Sequence, residues 1–224
     1  MEKVKKRKRK IVLFSIIGVV IVCFATVLLT SLYVNNPTKG VAIGQYDNPK
    51  SALLVIDVQN DITSNTGRYG DTTEFVSKVN QAIAFAEESG MEILYIKNVY
   101  GNNPVISLLS GGKFKESTEG VELDGDLLVV NDNIFSKSIG DSFSSKELEN
   151  YLISNSVDTL YLVGADASAC VYSTARGGLN RSYSVNIIED AVITINENVL
   201  NQMLMLYEKG AIGVIDLAKF EEPV

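Results

Sequence analysis

Histidine and tryptophan are absent from the sequence, and cysteine occurs twice, at Cys23 and Cys170. Without imidazole, a thiol nucleophile has no histidine base, so any chemistry at Cys170 has to draw on carboxylates and lysines. One cysteine sits in a long apolar run and the other in the main body of the chain, which excludes a structural disulfide within the domain. Cys170 is therefore either a packing residue or a chemical one. Basic charge is also scarce outside one place. The first ten residues hold seven of the 20 Lys and Arg and one of the 27 Asp and Glu, so the remainder carries 13 basic against 26 acidic side chains. A surface that acidic argues against nucleic-acid binding, which needs a basic footprint to neutralise phosphates.

The basic run leads directly into "IVLFSIIGVVIVCFATVLLTSLYV", residues 11–34, with no charged side chain. As a helix rising 1.5 Å per residue it would be about 36 Å long, enough to cross a hydrocarbon core of roughly 30 Å with some tilt. A cleaved signal peptide usually has a shorter apolar region of about 7–15 residues and an A-x-A-like site, and neither is present. The "VVIV" before Cys23 lacks the small residues expected ahead of a lipid-modified cysteine. An uncleaved single-span membrane anchor is the expectation. Only Lys39 and Lys50 lie close behind the span, so residues 1–10 should remain cytoplasmic and the domain should face outward. Residues 35–49, rich in Asn, Gly and Pro, read as a short tether, and residues 50–224 as one domain.

Within that domain, continuous apolar runs alternate with segments of helical period. The runs 52–57, 92–100, 126–130, 158–164, 184–190 and 211–216 read as strands; 73–90, 144–155, 170–180 and 197–210 read as helices. Six strands separated by helices predict a three-layer α/β/α, doubly wound, mostly parallel sheet of Rossmann-like type, with ligands at the carboxyl ends of the strands. Residues 101–125, containing "GNNP", "SGG" and "STEG", break the alternation and read as loop with at most a short helix, placed to cover the site.

Three side chains fall where strand ends would converge. Asp57 closes the first strand, Lys137 follows the third, and Cys170 follows the fourth and opens a helix. The free amides and positive end of that helix would favour a thiolate, Asp57 could take the thiol proton, and Lys137 could hold both by charge. Each has a bland reading as well: turn residue, exposed lysine, small buried thiol. "SGGKF" lacks P-loop spacing, and "DGDLLVVND" lacks that of a calcium loop.

The ordered motifs resemble those of the isochorismatase-like cysteine hydrolase family over residues 50–216. They are "ALLVIDVQND" (52–61), "STEGVEL" (117–123), "KSIGDSF" (137–143), "LYLVGADASACVYSTAR" (160–176) and "YSVNIIEDAV" (183–192). The resemblance implies a catalytic triad of Asp57, Lys137 and Cys170, an acyl-enzyme on Cys170, and cleavage of an amide or ureido C–N bond in a small-molecule substrate. It implies an oxyanion site from the backbone amides of Cys170 and either Asp166 or Ala167, beside a non-proline cis peptide at Ala165–Asp166. Homo-oligomers are common in the family. Asp166 departs from the usual small or uncharged residue, and the metal-binding histidines of nicotinamidases have no counterpart, so neither metal nor other cofactor is expected. Tyr69, Tyr100 and Phe114 are candidates for an apolar pocket wall. The competing reading is a binding or scaffold domain that keeps the fold without turnover.

Overall fold

A computed structural model describes residues 2–63, 69–101 and 104–222, with side chains from Phe14 onward. Helix α1 (Glu2–Asn35) is followed by β1 (Lys50–Ile56), α2 (Asn60–Thr63), α3 (Thr73–Glu88), β2 (Glu92–Asn98) and α4 (Pro104–Leu109). Then come β3 (Ile134–Lys137), α5 (Lys146–Ser154), β4 (Val157–Ala165), α6 (Cys170–Leu179), β5 (Ser184–Ile193), α7 (Glu197–Lys209), β6 (Gly213–Ile215) and α8 (Leu217–Phe220). The six strands form one sheet in the order β3-β2-β1-β4-β5-β6, with every neighbouring pair parallel. The chain winds outward from β1 to β3, then crosses back to place β4 on the other side of β1. That reversal opens a crevice at the carboxyl ends of β1 and β4.

The period of two along β1 divides its side chains between the two layers. Ala52, Leu54 and Ile56 enter the core shared with α5, α6 and α7. Leu53 and Val55 enter the one shared with α3 and α8. Because both faces are covered, the central strands read as unbroken apolar runs. At Gly164 the backbone has φ +120°, and a Cβ there would lie 2.0 Å from the Ile56 carbonyl oxygen. Glycine lets β4 come against the end of β1 where the crevice begins.

The expected strand at 126–130 is not one. The turn at Asp124, where Leu127 N–H donates to the Asp124 carbonyl at 3.1 Å, buries Leu127 and partly covers Val130, while Leu128 and Val129 stay exposed. The backbone here is engaged by side chains instead: Leu128 N–H donates to Asn80 Oδ1 at 2.7 Å, and Tyr95 Oη bonds to Leu128 O and Val130 N. The edge of β2 is taken by Ile134–Lys137. An apolar run signals burial; which run wins a strand edge depends on backbone partners.

Residues 36–49 have no regular secondary structure, as their composition implies, but they are not a free tether. Thr38 donates to buried Asp141 Oδ2 through both N–H and Oγ1, each at 2.7 Å. Its carbonyl accepts from Asn180 Nδ2, Arg181 donates to Thr38 Oγ1 at 3.0 Å, and Ile43 N–H donates to the Arg181 carbonyl. The segment is a strap along the domain.

Candidate active site

The crevice contains a cavity of about 370 Å³ with Asp57, Asn98, Asp166 and Cys170 among its lining residues. Asp57 is the first residue past β1, with φ 55°, a conformation aspartate tolerates better than most residues. Lys137 is the last residue of β3, two strands away, and its long side chain carries the ammonium under β2 to the carboxylate. Nζ lies 2.9 Å from Asp57 Oδ2, with side-chain exposures of 0% and 2%. Nζ also donates to the Ile139 carbonyl at 3.3 Å. Asp57 Oδ1, by contrast, is buried and accepts no hydrogen bond. Cys170, the first residue of α6, faces this pair. The structure thus brings together all three side chains singled out in the sequence.

Their electrostatics differ from expectation in one respect. Burial raises Asp57 above the ordinary carboxylate range, with Lys137 and Cys170 opposing. Burial would lower Lys137, but the charges of Asp57 and Cys170 outweigh it and keep the lysine above its usual value. The Cys170 thiol is pushed up to about 12, first by burial and then by the Asp57 charge, with Lys137 opposing only in part. The helix start alone would favour a resting thiolate; the buried carboxylate beside the sulfur favours a thiol instead. Burial and the Asp57 carboxylate thus favour the thiol form of Cys170, and the 2.9 Å contact with Asp57 favours the charged form of Lys137.

The Ala165–Asp166 peptide is cis, at the position the resemblance implied. The Ala167 N–H donates to the Ile193 carbonyl at 2.9 Å and is not available to an oxyanion. Among the described residues, the N–H groups of Cys170 and Asp166 have no hydrogen-bond acceptor, so they remain as candidate donors. The Asp166 carboxylate lines the cavity and is fully engaged. Ser168 donates to Oδ1 from N at 2.6 Å and from Oγ at 2.7 Å, and Tyr69 Oη donates to Oδ2 at 3.0 Å. Tyr69, Tyr100 and Phe114 all reach the cavity, the latter two in an edge-to-face pair with centroids 5.8 Å apart. Residues 64–68, between α2 and Tyr69, lie outside the described residues.

Two polar residues were not singled out in the sequence. Gln59 is fully buried and bonds to Asn98 N, Asn98 O and Val121 O, tying the end of β2 to the 119–121 turn. Asn98 donates to Tyr100 Oη at 3.1 Å, while its Oδ1 is buried without a partner. The only sequence signal for Gln59 is its place two residues after Asp57; for Asn98 it is a polar residue ending an apolar strand. The end of α1 was missed as well: Ser31, Val34 and Asn35 line the same cavity.

Residues 51–218 match the isochorismatase domain family, and the chain belongs to it. Ureidoacrylate amidohydrolase RutB of Acinetobacter baylyi is 26% identical over 172 residues, covering 63% of this chain and 70% of the relative. The pyrazinamidase of Pyrococcus horikoshii, solved in complex with zinc, is 25% identical with TM-score 0.67, covering 75% of this chain and all of that one. A cysteine hydrolase from Pseudomonas syringae shares the fold with TM-score 0.71 at 19% identity, covering 82% of this chain and 97% of that one.

The donor set here does not suit a zinc ion. The chain has no imidazole, and among the described residues no three Cys, Asp or Glu side chains converge as a ligand group. Of the cavity's two carboxylates, Asp166 is engaged on both oxygens by Tyr69 and Ser168, and Asp57 is paired with Lys137 through Oδ2, which leaves only Asp57 Oδ1 open.

Proposed function

We propose that the chain is a membrane-anchored cysteine hydrolase that cleaves an amide or ureido C–N bond. The observation that carries this reading is the buried Asp57–Lys137 pair, whose one unpartnered carboxylate oxygen adjoins the Cys170 thiol in a small polar-floored cavity. Cys170 Sγ bonds to the substrate carbonyl carbon as its proton passes to Asp57, and the oxyanion is received by the Cys170 and Asp166 amides. Collapse breaks the C–N bond, and the proton on Asp57 goes to the leaving nitrogen, releasing ammonia or an amine. Water then adds to the thioester carbon, giving a proton to Asp57; the C–S bond breaks, the proton returns to sulfur, and the acid leaves. Lys137 keeps Asp57 ionised in a buried site between these transfers. Asn98 Oδ1 is an acceptor for a substrate N–H. The relatives that act on ureidoacrylate or are named pyrazinamidase support the bond class.

One N-terminal helix, over Phe14–Asn35, is long and apolar enough to cross a membrane. In this reading it is the anchor, with residues 1–10 cytoplasmic and the catalytic domain outside. The test is ammonia release from a panel of small amides and ureas by wild type and Cys170→Ala. Release by wild type alone supports the hydrolase; equal behaviour of the two across the panel supports a binding domain instead.

A further inference from the structure

The end of the apolar helix is built into the site. A helix leaves its last carbonyls without intrahelical donors. Here Gly140 N–H donates to the Val34 carbonyl at 2.8 Å, and Ser173 Oγ donates to the Asn35 carbonyl at 3.1 Å. Gly140 is three residues beyond Lys137, and Ser173 is three beyond Cys170, so α1 docks on the two segments that carry two of the three chemical side chains. Along its last two turns Val27, Thr30, Ser31 and Val34 are partly covered, while Leu28, Leu29, Leu32 and Tyr33 stay exposed. Helix α4 packs against α1. Ile106 and Leu109 of α4 line the cavity next to Val34, yet Leu108 is 72% exposed and Leu109 42%. With Thr38 strapped to Asp141, no slack remains to lift the domain away from the helix end.

The uncharged run 11–34 is about 36 Å long as a helix against a hydrocarbon core of roughly 30 Å, so its last turn lies at the outer interface. The cavity at the carboxyl edge of the sheet and helix α4 both adjoin that last turn, so an anchored α1 would hold them near the same level. Resting on the proposed hydrolase and anchor, we propose that the cavity opens at the outer membrane surface and takes an amphiphile: a carbonyl C–N head group with an alkyl chain held in the outer leaflet. The polar floor of Asp57, Asn98 and Cys170 receives the head. The apolar rim of Val34, Ile106 and Leu109 passes the chain to lipid, and Leu108 dips into the leaflet.

Since the sequence has no tryptophan, a single introduced one is a background-free depth probe. The full chain carrying Leu108→Trp, in vesicles of brominated phosphatidylcholine, should show strong quenching. Ile153→Trp, at the far end of the sheet just before β4, should show little. Equal quenching of the two, or none at Leu108→Trp, overturns the docking. The substrate class is read with N-alkyl chloroacetamides, whose C–Cl bond is replaced by a C–S bond to Cys170 with loss of HCl, on a Cys23→Ala background in plain phosphatidylcholine vesicles. Labelling should rise at least tenfold from a two-carbon to a ten-carbon chain. Leu108→Asp should flatten that rise while leaving the two-carbon rate unchanged. A flat or falling series in the Cys23→Ala protein, or a rise that Leu108→Asp leaves intact, overturns the amphiphile. Neither readout needs turnover, so loss of the ammonia signal would remove the hydrolase reading and leave these results standing.

Discussion

The floor and the walls of the cavity are built by different means. The floor is Asp57, Asn98 and Cys170, with Lys137 buried behind Asp57, each at the end of a strand or the start of a helix, with backbone positions held by the parallel ladder. The walls are Tyr69, Phe114, α4 and the last turn of α1, held by side-chain contacts and single hydrogen bonds. Chemistry placed on the sheet tolerates little displacement, whereas walls outside the ladder can change with substrate. Mutations in the floor should therefore cost rate and stability together, and mutations in the walls should cost affinity.

The largest expected effect in the floor is from Lys137→Met. It leaves a buried carboxylate unpaired, which should lower stability by about 3–5 kcal/mol and C–N cleavage by on the order of 10²-fold or more. Denaturant melts can sharpen this: adding Asp57→Asn should recover much of the stability and none of the activity, since it removes the second charge. If the double variant melts no higher than the single one, the pair is not the source of the loss.

Gly164→Ala should rank next, because its Cβ would meet the Ile56 carbonyl at a φ that L residues rarely adopt. A loss of about 2–3 kcal/mol in chemical denaturation, with kcat reduced through Asp57, is expected. Wild-type stability with wild-type kcat would show that the floor is less rigid than the ladder implies.

The thiol gives a pH signature. With Cys170 pushed up to about 12 in the folded protein and near 8.5 when unfolded, the unfolded state loses its proton first, so stability falls as pH rises between these values. Cys170→Ala should remove that part of the decline. Asp57→Asn, by deleting a charge that raises the thiol, should move the alkylation midpoint down; a midpoint that stays put would disconnect the two groups.

In the walls, Phe114→Ala should raise KM several-fold with kcat nearly unchanged, in steady-state kinetics on whichever substrate the panel yields. The smallest effect is expected from Thr38→Ala, which removes the hydroxyl's bonds to Asp141 and Arg181, leaves the backbone bond to Asp141, and should cost about 1 kcal/mol in denaturant melts.

Much of this was legible in the order of residues along the chain. Apolar runs alternating with helical period specified a parallel α/β sheet, because strands buried on both faces have to be apolar throughout. Asp57, Lys137 and Cys170 stood out because each comes after such a run. The run 126–130 misled, since periodicity reports burial and not which backbone takes a vacant edge. Ala167 could not be separated from Asp166 as an oxyanion donor, because the amide that remains free depends on where β5 places the Ile193 carbonyl.

By itself the sequence determined the fold class, the order of the motifs, the apolar helix and the lack of imidazole, all of which depend on residue type and spacing alone. Only the tertiary structure decided that Cys170 is pushed toward the thiol form, because that push comes from a carboxylate 113 positions away in the chain and from the burial they share. The tertiary structure also decided that α1 ends inside the cavity wall. Its unsatisfied carbonyls find their donors on Gly140 and Ser173, and no local pattern in residues 35–49 records where the chain will bring them.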